Sequence, residues 1–128
     1  MKIDHVALYC VDLEGMKDFF ITFFDARPGE LYHNRKTGVR SYFLQFTEGG
    51  ARLEICTRPE VEEAHNEPYT PGYSHLSLSV GTLEQVDILT RRINQAGYPV
   101  LSGPRVTGDG YYESTIQGPE GILVEITV

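Results

Sequence analysis

The chain has 128 residues, of which 41% are hydrophobic and 23% are charged, so its length and composition predict one globular domain with a hydrophobic core. The net charge of −7 disfavours nucleic acids and anionic membranes as partners, because both need a basic surface. The segment Met1–His5 has no apolar run typical of a secretory signal, and two cysteines cannot form a disulfide framework. A reducing cytoplasm is therefore the expected location.

The first half of the chain predicts a strand, a helix and then further strands. Alternation over Ile3–Cys10 predicts a strand with Val6 and Leu8 on one face and His5 on the other. Asp12 is a good N-cap for the helix that follows. The apolar residues of this helix recur at helical spacing: Leu13, Met16, Phe19, Phe20, Phe23 and Phe24. The remainder of this half predicts strands separated by glycine-containing turns.

The second half predicts the same order of elements. Tyr73–Val80 alternates as a strand, with His75 on its polar face. Thr82 and Gln85 form a capping box at the start of a second helix. The predicted apolar stripe of this helix is Leu83, Val86, Leu89, Ile93 and Ala96. Further strands follow, and the acidic, proline-containing segment 59–72 has the composition of a linker.

The two halves are an internal repeat. An offset of 70 places His5 on His75, and an offset of 71 places Glu54 on Glu125. Two alignments with nearly the same offset predict a tandem duplication of a βαβββ module. We therefore predict an α+β fold in one domain, 1–128, with modules 1–58 and 73–128 joined by the linker 59–72.

Each module carries one histidine on its first strand and one glutamate on its last strand. His5, Glu54, His75 and Glu125 all alternate with apolar neighbours, so they are predicted on the sheet faces opposite the helices. If the two sheets face each other, two imidazoles and two carboxylates converge on one cavity. Such a set binds a divalent transition metal and leaves positions open for a substrate.

Several segments together resemble the vicinal oxygen chelate superfamily, which includes glyoxalase I, bleomycin resistance proteins and extradiol dioxygenases. They are Asp4-His5-Val6-Ala7-Leu8, Arg52-Leu53-Glu54-Ile55, Tyr73–Val80, and Gly118–Gly121 before Val124-Glu125-Ile126. The resemblance covers essentially the whole chain. It implies paired βαβββ modules forming a curved mixed sheet around a central cavity that holds the metal.

The resemblance also separates candidate activities. Glyoxalase I-like members carry the order His, Glu, His, Glu, which this chain matches at His5, Glu54, His75 and Glu125. This implies a metal-dependent lyase or isomerase that uses Zn, Ni, Co, Mn or Fe. The substrate would carry vicinal oxygens and react through an enediolate, with Glu54 or Glu125 as the base. The alternatives are a non-enzymatic small-molecule binding or resistance protein on this fold and an iron-dependent dioxygenase, against which Glu54 argues.

The chain departs from glyoxalase I at two positions that the family uses for glutathione. Tyr9 stands where the family carries arginine, and Arg58 stands where it carries asparagine. The departure implies a small anionic or polar substrate other than a glutathione adduct. Candidate substrate-binding residues are Tyr9 and Arg58, together with Arg52 and Cys56, which share the strand face of Glu54.

The superfamily pairs its modules edge to edge, within one chain or across two. The predicted sheets of a chain this small leave exposed edges, which predicts a homodimer. The metal site could then lie within one chain or between two chains.

Overall fold

The computed structural model describes residues 1–62 and 71–128. The chain divides into two compact units, Met1–Ala64 and His65–Val128, which we call unit 1 and unit 2. Each unit has one helix and one mixed sheet, so the α+β class and the repeated βαβββ order are confirmed. Residues 63–70 of the predicted linker 59–72 lie outside the described residues, and the assignment of both modules to one domain stays a prediction.

Unit 1 contains one helix and five strands, two of them very short. In chain order they are β1 His5–Tyr9, α1 Leu13–Phe24, β2 Arg27–Pro28, β3 Tyr32–His33, β4 Arg40–Gln45 and β5 Arg52–Thr57. Strand β5 lies between β1, to which it runs parallel, and β4, to which it runs antiparallel. Both short strands pair with β4, so together they replace the first of the three strands after the helix.

The core of unit 1 is formed by one face of α1 against the sheet. The Asp12 side chain caps the helix as predicted, since its Oδ1 accepts a hydrogen bond of 2.9 Å from the backbone N–H of Gly15. Asp25 ends the helix in the left-handed conformation, with φ of 52°. The buried apolar side chains of this core include Leu13, Met16, Phe19, Phe20, Leu44, Leu53 and Ile55. Burial of each large side chain contributes about 1.5–3 kcal/mol.

Unit 2 follows the βαβββ order without a broken strand. Its elements are β6 Leu76–Ser79, α2 Leu83–Gln95, β7 Val100–Val106, β8 Tyr112–Gln117, a 3-10 turn Pro119–Gly121 and β9 Leu123–Thr127. The strand order is β6-β9-β8-β7, with β6 and β9 parallel. The Oγ1 atom of Thr82 caps α2 by accepting from the N–H of Gln85 at 3.1 Å.

Two predictions for unit 2 are wrong at the ends of the elements: the start of the first strand and both ends of the buried face of the helix. Strand β6 begins at Leu76, where pairing with β9 begins, so His75 lies immediately before the strand rather than inside it. The buried face of α2 runs from Val86 to Ile93. Leu83, the first residue of the helix, is 56% exposed, and Ala96, its C-cap, is also exposed. In the part of the chain that the structure describes, no helix is long and apolar enough to cross a membrane.

Candidate metal centre

Strand pairing places one histidine near one glutamate in each unit. In unit 1 the parallel pairing of β1 with β5 sets Ala7 opposite Glu54. In unit 2 the pairing of β6 with β9 sets Ser77 opposite Glu125. In unit 1 His5 lies two positions before Ala7 on the same strand, so it projects from the same face of the sheet as Glu54. In unit 2 His75 occupies the equivalent position, directly before β6, and lies close to Glu125. The repeat seen in the sequence is therefore also a repeat of strand register.

The pair in unit 1 is formed by His5 and Glu54. The Nε2 atom of His5 lies 3.8 Å from Oε2 of Glu54, and the two side chains are 40% and 23% exposed. The other ring nitrogen, Nδ1, lies 3.0 Å from Oδ2 of Asp4. Phe43 packs edge-on to the imidazole with centroids 5.2 Å apart. Hydrogen bonds from His5 and then Arg52 hold the pKa of the Asp4 carboxyl below its usual value.

The pair in unit 2 is formed by His75 and Glu125. The Nε2 atom of His75 lies 3.6 Å from Oε2 of Glu125. Here the Nδ1 atom of His75 lies 3.2 Å from the hydroxyl oxygen of Ser74. The Glu125 carboxylate has a further partner, because the Ser77 hydroxyl donates to its Oε1 atom at 2.5 Å. The same backbone register thus presents a similar pair with different neighbours.

The spacing within each pair is slightly wider than that of two ligands on one metal ion. Nitrogen and oxygen ligands at 2.0–2.2 Å from one metal, at angles of about 90–110°, lie roughly 3.0–3.5 Å apart. The two observed separations, 3.8 and 3.6 Å, are close to that range. Within each unit the described residues bring two candidate ligands together, rather than three or more. The convergence of all four ligands on one metal stays a prediction.

A second carboxylate, Glu113, is associated with the pair in unit 2. Glu113 lies on β8, two residues from Thr115, which is the register partner of Glu125. Burial raises the pKa of Glu113, and the charge of Glu125 raises it further. This carboxylate adds to the negative potential on this face of the sheet, which favours a cation. The sequence analysis did not identify Glu113, although its position two residues before Thr115 predicts that both side chains lie on the same face of the strand.

Sequence reasoning also missed the residues that contact the predicted ligands. Asp4 and Ser74 occupy equivalent positions in the repeat, directly before the two histidines. Ala7 and Ser77 are likewise equivalent, and only Ser77 offers a hydroxyl to its facing glutamate. The offset of 70 was the signal that could have identified both differences.

Tyr9 and Arg58 lie beside each other, and Arg58 forms an ion pair with a neighbouring residue. Tyr9 is 60% exposed at the end of β1. Arg58 donates from Nε and Nη2 to the two carboxylate oxygens of Glu60, at 2.8 and 3.0 Å. This bidentate ion pair lowers the pKa of Glu60 to about 2, and Glu60 and Tyr9 both raise the pKa of Arg58. The Arg58 charge is therefore compensated by Glu60, and its part in binding a substrate stays a prediction.

Arg52 also has protein partners. Its Nη2 atom lies 2.5 Å from Oδ2 of Asp4, and its guanidinium lies over the ring of Phe43, 4.4 Å from the centroid. Arg52 is thus held near His5, on the strand that carries Glu54. It also borders a cavity of about 290 Å³ in unit 1, whose other lining residues are Lys2, Ile3, Asp4, Gln45, Phe46, Gly49, Gly50 and Ala51.

Cys56 is a buried thiol rather than an open cavity residue. Cys56 and Cys10 form no disulfide, and Cys56 is 9% exposed. The Sγ atom of Cys56 donates to the backbone oxygen of Leu8 at 3.3 Å. Burial, and secondarily the charge of Glu54, raises the pKa of this thiol. A neutral, hydrogen-bonded thiol has little capacity to act as a nucleophile on a substrate.

Comparison with known proteins identifies the family of this chain. The model of the Glyoxalase/Bleomycin resistance protein/Dioxygenase superfamily matches residues 2–126. One curated relative is the uncharacterized protein YqjT of Bacillus subtilis. It is 26% identical over 129 residues, which cover 95% of this chain and 94% of YqjT.

Two solved structures share the fold at low sequence identity. The trypanothione-dependent glyoxalase I of Leishmania major matches with a TM-score of 0.80 and 15% identity, over 99% of this chain and 86% of that protein. The fosfomycin resistance protein FosX of Listeria monocytogenes, solved with Mn(II) and a sulfate ion, matches with a TM-score of 0.74 and 16% identity. That match covers 98% of this chain and 90% of FosX. At these identities the comparison establishes the fold.

Proposed function

The chain belongs to the glyoxalase/bleomycin resistance protein/dioxygenase superfamily, and we propose that it is a metal-dependent lyase or isomerase of the glyoxalase I type. The observation that supports this proposal best is the repeated pair of histidine and glutamate. Nε2–Oε2 separations of 3.8 Å in unit 1 and 3.6 Å in unit 2 occur at the same strand register. A protein that only sequesters a small molecule has no need for two such pairs.

The proposed ligands are His5, Glu54, His75 and Glu125, and the proposed cofactor is one divalent ion among Zn, Ni, Co, Mn and Fe. The nitrogen and oxygen donors suit all of these ions. A related fold, that of FosX, is described with Mn(II). When bound, the ion would act as a Lewis acid that stabilises negative charge on two adjacent substrate oxygens.

The chain's own residues would orient the substrate and move its proton. The α-proton of a 2-hydroxycarbonyl or similar compound is removed to give an enediolate and is returned to the neighbouring carbon. We propose Glu54 as the base. Among residues 1–62 and 71–128, no hydroxyl or amide donates to its carboxylate, whereas Ser77 donates to Glu125. A carboxylate that no donor holds is freer to turn toward the substrate proton.

The proposed substrate is small and anionic or polar, rather than a glutathione adduct. The exposed Tyr9 supplies no cation where glyoxalase I enzymes carry arginine, and the Arg58 charge is compensated by Glu60. A lost charge-assisted contact to a carboxylate costs about 2 kcal/mol, or roughly 30-fold in binding. We expect this chemistry in the reducing cytoplasm, in keeping with two cysteines that form no disulfide.

Metal content tests the proposal directly. Protein purified without chelator, then titrated with Mn(II) and Zn(II), is expected to bind the ion stoichiometrically. Glu54→Ala and His75→Ala should each abolish stoichiometric binding while the thermal unfolding transition is kept. His33→Ala is the matched control, because His33 is an exposed histidine of the short strand β3. Full metal occupancy in both ligand variants would refute the metal site.

A substrate panel then separates the activities. Metal-loaded protein is incubated in D2O with 2-hydroxycarbonyl compounds and 2-oxoaldehyde–thiol adducts, including the glutathione hemithioacetal. Exchange of the substrate α-proton, followed by proton NMR, is the expected result for a lyase or isomerase. Tight binding without exchange or conversion would instead favour a resistance-type binding protein. Oxygen-dependent ring cleavage of a catechol by the iron-loaded protein would favour a dioxygenase.

We also propose that the protein is a homodimer. Each sheet ends in strands that pair on one side only, β1 and β2 in unit 1 and β6 and β7 in unit 2. Unpaired strand edges are protected when a second copy covers them. Sedimentation at micromolar concentration should give twice the chain mass of 14.4 kDa, and a monomer under those conditions would refute this proposal.

A further inference from the structure

The two histidines differ in the group that contacts their Nδ1 atoms, and this difference carries an inference that rests on the proposed metal site. In unit 1 the partner is Oδ2 of Asp4, at 3.0 Å. In unit 2 it is the hydroxyl oxygen of Ser74, at 3.2 Å. An ionised carboxylate can only accept a hydrogen bond, whereas a hydroxyl can either donate or accept. The two contacts therefore constrain the imidazole rings differently.

Asp4 is fixed by more than its contact with His5. Its backbone oxygen accepts from the N–H of Arg52 at 3.0 Å, and its Oδ2 atom accepts from Nη2 of the same arginine at 2.5 Å. Arg52 is itself held over the Phe43 ring, which also packs against the imidazole of His5. The repeat places Leu123 where Arg52 stands, so unit 2 has no equivalent cation at this position.

We propose that Asp4 is a positioning residue that keeps His5 in the tautomer with a proton on Nδ1 and leaves Nε2 free as the metal ligand. Because the carboxylate accepts and cannot donate, the Nδ1 atom must carry the proton of the neutral ring. Nε2 then faces Glu54 with its lone pair available. Histidine ligands commonly donate their second ring nitrogen to a carboxylate, which orients the ring and strengthens the metal bond.

The same reasoning gives His75 a weaker constraint. The Ser74 hydroxyl can accept from Nδ1–H or donate to an unprotonated Nδ1 atom, so this contact is compatible with either tautomer. Asp4 is therefore expected to contribute more to metal affinity than Ser74. The equivalent positions of these two residues in the repeat make each one the matched control for the other.

The test compares Asp4→Ala, Asp4→Asn and Ser74→Ala in the full chain. Both residues lie on the surface, Asp4 with 62% of its side chain exposed, so the core is not disturbed. The dissociation constant for Mn(II) should rise by roughly 10- to 100-fold in Asp4→Ala and by less than 3-fold in Ser74→Ala. Asp4→Asn should fall between them, because the amide oxygen still accepts from Nδ1–H.

Nitrogen-15 NMR of the metal-free protein reports the tautomer of His5, which would not change in the variants if Asp4 only stabilised the fold. In the unsubstituted protein His5 should show protonated Nδ1 and unprotonated Nε2, and in Asp4→Ala the two forms should become mixed. Equal losses of affinity in Asp4→Ala and Ser74→Ala, or a His5 tautomer unchanged in Asp4→Ala, would overturn the proposal. If the unsubstituted protein binds no metal, the proposed function fails, while the tautomer measurement still decides the role of Asp4.

Discussion

The two units repeat a backbone arrangement and differ in the side chains that surround it. Each sheet sets a residue of its first strand opposite a glutamate of its last, and each glutamate lies 3.6–3.8 Å from a histidine. In unit 1 the histidine has the charged partner, Asp4, while the glutamate faces Ala7. In unit 2 the histidine has a neutral partner and the glutamate is held by Ser77.

This comparison shows how a duplicated fold can divide roles between equivalent residues. Strand register preserves the positions of the proposed ligands, because a shift by one residue would turn every side chain to the other face. Neighbouring positions are free to diverge. One unit has come to fix its histidine, and the other to fix its glutamate. This difference is the reason that we propose the freer glutamate, Glu54, as the base and Glu125 as a ligand only.

The largest expected effect comes from removing the negative charge of one glutamate at a time. Glu54→Gln should lower the rate of α-proton exchange by 100-fold or more, since a positioned general base contributes about 10²–10⁴ in rate. Glu125→Gln should lower it by about 10-fold, through altered ligation. The measurement is proton NMR in D2O with the metal-loaded variants and whichever panel compound exchanges fastest.

Metal content provides the control for that comparison, because glutamine keeps a carbonyl oxygen that can bind a metal. Exchange rates are compared at equal metal occupancy, so that loss of the ion is not read as loss of the base. If Glu125→Gln were the more damaging substitution at equal occupancy, the assignment of Glu54 as the base would be wrong.

The sequence alone predicted the features that depend on periodicity and register. Period-two alternation placed His5 opposite the apolar face of β1, and the N-caps Asp12 and Thr82 marked both helix starts. The tandem offset also made Glu54 equivalent to Glu125, and the strand register of the two sheets agrees with it. These properties follow from local backbone geometry, which a single sequence expresses directly.

The remaining features depend on which partner a flexible side chain selects. Arg58 was predicted as a cation for a substrate, yet it forms a bidentate ion pair with Glu60, two residues away. Arg52 was predicted as a candidate substrate-binding residue, and its guanidinium binds Asp4, which lies beside His5 and is far from Arg52 in the sequence. Long cations have many rotamers, so their partners are decided by tertiary structure and cannot be read from spacing.

A smaller effect on the rate of α-proton exchange is expected when a hydroxyl group is added beside Glu54 or removed from beside Glu125. Ala7→Ser would give Glu54 the hydroxyl partner that Ser77 gives Glu125, because Ala7 faces Glu54 in the register. A hydrogen bond to a charged carboxylate contributes about 1.5–3 kcal/mol. If Glu54 is the base, this bond should hold its carboxylate away from the substrate proton and slow α-proton exchange by roughly 10-fold.

Ser77→Ala is the matched partner of that substitution and should change the exchange rate by less than 3-fold, since it alters the glutamate that we assign as a ligand only. Both side chains are small, so neither substitution should affect the fold, which thermal unfolding checks. Slower exchange in Ala7→Ser with little change in Ser77→Ala would mean that the proton passes through unit 1. A larger effect of Ser77→Ala than of Ala7→Ser would mean that Glu125 is the base. Equal effects would mean that both glutamates take part in the proton transfer.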